Sequence, residues 1–99
     1  MSLPVVLRDE AQAEFDEAFD WYDAQRPGLG TEFVAEVQKV FDHIAASPLA
    51  RPVAWADIRK AAVRRFPYCV FYRPHPDRVE VLAVFHTSRD PSIWQGRTQ

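Results

Sequence analysis

A lone cysteine in this 99-residue chain excludes an internal disulfide and any zinc site built on cysteines. Cys69 sits between Tyr68 and Val70 in an apolar run, where it reads as a small buried hydrophobe. The three histidines are scattered: His43 falls on an expected helix, His75 in a turn and His86 at the end of a strand. No metal cluster and no cofactor is therefore expected. No apolar run approaches the length of a membrane span, and Met1-Ser2-Leu3-Pro4 lacks the charged and apolar stretches of a secretory signal. The expectation is a soluble cytoplasmic protein without a membrane partner. Gly/Ser-rich linkers, internal repeats and low-complexity tracts are missing as well, which leaves one domain over residues 1–99.

What is present supports a core. Hydrophobic residues make up 47% of the chain and thirteen residues are aromatic. A domain this small buries a modest fraction of its surface, so part of that apolar content is expected to be finished by another chain. The charges are split by position. Residues 1–50 carry ten Asp/Glu and three Lys/Arg, a net −7, and residues 51–99 carry four and nine, a net +5. The overall −2 hides this dipole, which points to one surface that meets an anionic partner. With a negative net charge, direct nucleic-acid binding is not expected.

Pro4 to Leu7 reads as a short strand, and Asp9 with Gln12 has the spacing of a capping box at the start of a helix. From Asp9 to Ala24 the apolar positions Ala11, Phe15, Ala18, Phe19 and Tyr22 share one face, leaving Glu10, Glu14, Glu17 and Asp20 as a solvated face. Arg26-Pro27-Gly28-Leu29-Gly30 breaks the pattern. A second helix with a stripe of Phe33, Val37, Val40, Phe41 and Ile44 ends before Pro48, so a helical hairpin spans about 9–47.

Residues 49–57 read as irregular. Strands are expected at Arg59 to Phe66, Tyr68 to Arg73 and Val79 to Phe85, the last buried on both faces, followed by a tail over 87–99. Tyr68, Val70 and Tyr72 share one parity and Phe71 lies opposite. The order β-α-α-β-β-β defines an α+β fold with the hairpin packed on a mainly antiparallel sheet.

Several residues have both a structural and a functional reading. Arg59, Lys60, Arg64 and Arg65 serve either as edge-strand charge that discourages aggregation or as an anion-recognising set. Their alternation along a strand sends Arg64 and Arg65 to opposite faces. His86 is a possible acid or base, yet no second catalytic group stands at a diagnostic spacing. Trp94 reads first as an anchor holding the tail on the sheet and second as part of a contact surface.

The segment Arg64-Arg65-Phe66-Pro67-Tyr68-Cys69-Val70-Phe71-Tyr72-Arg73, running through Val79 to Phe85 into His86-Thr87-Ser88-Arg89-Asp90-Pro91, resembles the toxins of bacterial type II toxin–antitoxin modules in the RelE/ParE superfamily. Pro27, Gly28 and Gly30 at the hairpin turn and Ser47-Pro48 after the second helix match too. The resemblance implies growth arrest in one of two ways. RelE-type members cleave messenger RNA on the ribosome without a metal, for which Lys60, Arg64 and Arg89 would supply charge. This chain departs from them at Cys69, where they carry an arginine, and at Trp94, where they carry a proton-donating tyrosine or histidine. ParE-type members, the plasmid-stabilisation branch, instead inhibit DNA gyrase by binding and need no covalent chemistry.

The ParE branch is the closer resemblance. It implies a cognate ParD-like antitoxin in a hetero-oligomeric complex. Arg59, Arg64, Arg65, His86, Arg89 and Trp94 are the candidates for target or antitoxin contact, and Phe15, Phe19, Phe33 and Val37 those for an antitoxin groove on the hairpin. A RelE-like endonuclease and a nontoxic antitoxin-binding homologue are the alternatives.

Overall fold

The computed structural model describes residues 2–98. Strand β1 (Val5–Leu7) leads into helices α1 (Asp9–Gln25) and α2 (Leu29–Ala46). Strands β2 (Val53–Trp55), β3 (Ile58–Ala62), β4 (Tyr68–Pro74) and β5 (Val79–His86) follow, and a short helix α3 (Ser92–Gln95) closes the described chain. The sheet order is β1-β5-β4-β3-β2. Among the described residues only the β1–β5 pair is parallel, so the expected α+β architecture with a mainly antiparallel sheet is what forms.

The hairpin turn is built on two glycines with different duties. Gly28 caps α2 in the left-handed region at φ 91°, a conformation open to glycine at little steric cost. Gly30 is where the helices cross, and a Cβ there would lie 2.7 Å from the Phe19 carbonyl oxygen. Asp23 Oδ1 accepts the backbone N–H groups of Gly28 and Gly30 at 3.0 and 3.2 Å, satisfying donors that the start of α2 leaves open.

The helix-facing side of the sheet presents Val70 and Tyr72 from β4 and Val79, Val81 and Val84 from β5 to Phe33, Val37 and Ile44 of α2. Each such fully buried side chain contributes roughly 1.5–3 kcal/mol of transfer free energy. The opposite side holds Ile58, Cys69, Phe71, Leu82, Ala83 and Phe85, and Trp94 of α3 covers it. Central strand β5 is thus buried on both faces, as its apolar run suggested.

The run conceals a change of phase. Phe71 pairs with Ala83 but Tyr72 pairs with Val81, so β5 carries an extra residue at Leu82. The bulge lets Val81 and Val84 share a face although their spacing is odd.

Five expectations are corrected. Residues 53–55, read as irregular, form the edge strand β2, short, proline-preceded and exposed throughout. Strand β3 ends at Ala62 instead of Phe66, because the chain turns through Arg65 at φ 72°. Arg64 and Arg65 therefore sit in the β3–β4 connection and have no strand faces to alternate between.

The Asp9–Gln12 capping box does not form. The cap position belongs to Arg8 and Asp9 is already helical, so its carboxylate is not placed to accept the third N–H, and Gln12 bonds Asp16 instead at 3.0 Å. Glu14, assigned to the solvated face, is nearly buried.

Candidate functional site

Strand β1 pairs with β5 only along Val79 to Val81, so the second half of β5 has no strand on that side. Open backbone groups at a buried position must find other partners, and α1 and the tail supply them. Glu14 Oε1 accepts the Val84 N–H at 3.2 Å, and Arg97 Nη1 donates to the Leu82 carbonyl at 3.2 Å. Arg97 and Glu14 meet in a two-pronged pair at 2.9 and 3.0 Å. Arg89 adds a third contact to Glu14, at 3.2 Å. With side chains only 10% and 12% exposed, Glu14 and Arg97 act as a side-chain substitute for the missing strand. Arg8 Nη1 donating to the Arg97 carbonyl at 2.7 Å fixes the tail further.

Beside this lock, between α1 and the β4–β5 pair, lies a cleft of about 640 Å³. Its walls include Glu17, Trp21 and Tyr22 of α1, Tyr68 of β4, His86 of β5 and Arg89 just beyond it. The rings form a chain of edge contacts: Trp21 to Tyr22 at 5.0 Å, Tyr22 to Tyr68 at 6.1 Å and Tyr68 to His86 at 5.2 Å. Burial pushes the Tyr68 hydroxyl above its usual pKa, the neighbouring Tyr22 adds to the shift, and Arg89 pulls against it. Burial raises Tyr22 in the same direction.

Ser88 donates its backbone N–H to His86 Nδ1 at 3.1 Å, and its hydroxyl lies 2.8 Å from the same nitrogen. The neutral imidazole therefore keeps its proton on Nε2. Arg89 also lies over the Phe85 ring, 4.6 Å from its centroid.

The other candidates are dispersed. Arg59 Nη1 donates to the carbonyls of Leu49, at 3.2 Å, and Arg51, so this cation anchors the connection after α2. Arg65 pairs with Glu32 of α2 at 2.8 Å and lies over the Phe66 ring. Arg64 is exposed in the β3–β4 connection. Lys60 pairs in register with Phe71 and shares its side of the sheet, away from the hairpin.

Trp94 is buried and stacked on Phe71, ring centroids 4.0 Å apart, so it is the anchor of the tail and not a contact surface. Phe33 and Val37 have no exposed surface and belong to the core, not to a groove. Phe19 is half-buried at the helix crossing. Phe15 lines a second cleft of about 520 Å³ with Leu3, Val5, Leu7 and Phe41.

A family model described as the ParE toxin of the type II toxin–antitoxin system parDE matches residues 5–91. The chain belongs to the ParE toxin family. Its fold matches a solved structure titled chromosomal ParDE TA system from P. aeruginosa, with a TM-score of 0.76 and 15% identity over 88% of this chain and 98% of that one. At that identity the likeness is one of fold. No curated protein sequence matches the chain.

In this ParE-family toxin the Arg89-Asp90-Pro91 ending lies where β5 leaves the sheet, and Asp90 accepts the Ser92 N–H at 3.0 Å to start α3. Sequence reasoning placed His86 and Arg89 at the site and missed Glu14, Trp21, Tyr22 and Arg97. Glu14 and Arg97 stand 83 residues apart, beyond any helical or strand period. Trp21, an exposed tryptophan on an otherwise acidic helix face, was the one visible signal.

Proposed function

We propose that this toxin arrests growth by binding DNA gyrase and trapping it on cleaved DNA, and that a ParD-like antitoxin neutralises it in a hetero-oligomeric complex. The dispersion of the cations carries this reading. Lys60 lies on the side of the sheet away from the hairpin, Arg64 in a turn, and Arg89 against Glu14 at the cleft. A metal-independent nuclease needs charge, base and acid converging on one phosphate. Cys69 is buried with the Phe71 cluster, and its thiol is pushed up by that burial, with Lys60 opposing. The Trp94 indole is stacked against Phe71 and has no acid to offer. Binding is the activity such a surface supports.

For the antitoxin, two features support an extended or helical occupant. The edge strand β2 exposes Val53 and Trp55, with Leu49 and Ile93 also exposed in the C-terminal half and its approach. The Phe15 cleft offers an apolar floor beside the hairpin. An acidic antitoxin segment would complement Lys60 and Arg64, which are exposed.

Purified toxin added to gyrase and supercoiled DNA is expected to accumulate linear, protein-linked DNA, and the antitoxin to prevent it. Absence of that product at toxin excess, with in-codon cuts in translated messages, would replace this reading by the RelE-like one.

A further inference from the structure

We propose that the cleft between α1 and β4–β5 is a recognition site for a cationic side chain, arginine or lysine, carried by a partner protein. Two carboxylates, Glu14 and Glu17, and one guanidinium, Arg89, line it. Glu14 is consumed by Arg97, Arg89 and the Val84 N–H. Arg89, its side chain 45% exposed, gives Glu14 one hydrogen bond and lies over the Phe85 ring. The one charged group of the lining without a bonded partner among the described residues is the exposed carboxylate of Glu17.

One helical turn on stands Trp21, 59% exposed, with its ring edge-on to Tyr22. Tyr68 and His86 extend the ring chain across to the sheet, and Ala18, small and buried, contributes to the hollow below it. Ring faces with a free carboxylate one turn away are the chemistry that holds an ammonium or guanidinium: quadrupole attraction from the rings, charge from the carboxylate.

A cleft of about 640 Å³ accommodates a whole long side chain with its aliphatic stem against the rings. The occupant thus rests on Glu17 and Trp21 of the acidic half, whereas the antitoxin segment proposed above complements Lys60 and Arg64 of the basic half. The assignment goes beyond the gyrase reading and holds whichever enzyme the toxin acts on.

The full-length toxin, isotope-labelled, is titrated separately with Nα-acetyl amides of arginine, lysine, citrulline and norleucine while the resonances of Trp21, Tyr22 and Tyr68 are followed. Either or both cationic amides are expected to give saturable shifts at these rings, and the uncharged pair none. Glu17→Gln is expected to weaken binding about fivefold, in line with an exposed cation–π and charge contact, and Trp21→Ala to do at least as much. Both residues are exposed on α1, and unchanged thermal unfolding of each variant confirms that the fold is intact. Equal shifts with citrulline, shifts confined to other parts of the molecule, or Glu17→Gln binding as tightly as the parent would each overturn the assignment.

Discussion

The two sides of the sheet are covered in different ways. On one side a 17-residue and an 18-residue helix lie over the strands. On the other, a four-residue helix does the covering, through Trp94 stacked on Phe71 and edge-on to Trp55. Both sides bury side chains almost fully, yet the first is sealed by an extended hairpin and the second by one indole held through a tail. Local stability follows the number of buried contacts that must be broken together. The hairpin side should open only when the whole domain unfolds, and the tail side should open by itself.

The largest test of that contrast is Phe33→Ala. Phe33 has no exposed surface and touches the rings of Phe15, Tyr22, Phe66 and Tyr68. Removing it should cost about 4 kcal/mol of global stability, read by denaturant unfolding. Trp94→Ala should cost about 3 kcal/mol, and its signature should be local. Cys69, 4% exposed in the same cluster, should then react with a thiol reagent under native conditions while hairpin amides keep their relative protection from exchange. In the parent the buried, raised-pKa thiol should react only on unfolding. Cys69 labelling and hairpin exchange rising together would erase the distinction between the two sides.

Glu14→Ala sharpens the comparison from the edge. It strands Arg97 and leaves the Val84 N–H open, at an expected cost of about 2–3 kcal/mol, below the full range for a broken buried pair because Arg89 is solvated. Released tail residues should become sensitive to protease, with α2 unaffected.

The smallest effect is the acid response of the exposed pairs. Hydrogen bonds from Arg65 and Arg26 hold Glu32 below its ordinary pKa, and Arg73 does the same for Asp57. A carboxyl lowered on folding contributes stability above its unfolded value, and that contribution is lost as pH falls through the folded one. Arg65→Ala should remove a small part of the loss seen by thermal unfolding below pH 4.5, the ordinary glutamate value. The tail side should show none of that difference.

The hairpin was legible because its apolar spacing and the Gly28 and Gly30 turn act locally, within a few residues. The strands β4 and β5 were legible for the same reason, including the parity of Tyr68, Val70 and Tyr72 against Phe71. Three things were not. Strand β2 has no buried face to imprint a pattern. The end of β3 depends on Arg65 taking φ 72°, which arginine does not advertise as glycine would. The bulge at Leu82 changes phase inside an unbroken apolar run, where either face would accept any residue.

At the cleft, His86 and Arg89 stand out in the sequence from their place at the end of the last strand and just beyond it, whereas Phe33, Val37 and Trp94 are buried and Arg59 is bonded to two loop carbonyls. Side-chain chemistry alone could not separate a cation that meets a partner from one that holds down a loop carbonyl.

The parallel pairing of Val5 with Val79 also sets an order of assembly during synthesis. The hairpin closes through near neighbours and can form while later strands are still being translated, but β1 has no strand to join until residues 79–81 have left the ribosome. The Glu14 lock then waits longer still, for Arg97. A partly made chain accordingly displays the hairpin's apolar stripe without the sheet that covers it, and the cleft exists only once almost all of the chain has emerged. Any chaperone or co-expressed partner that meets the nascent toxin meets that stripe first.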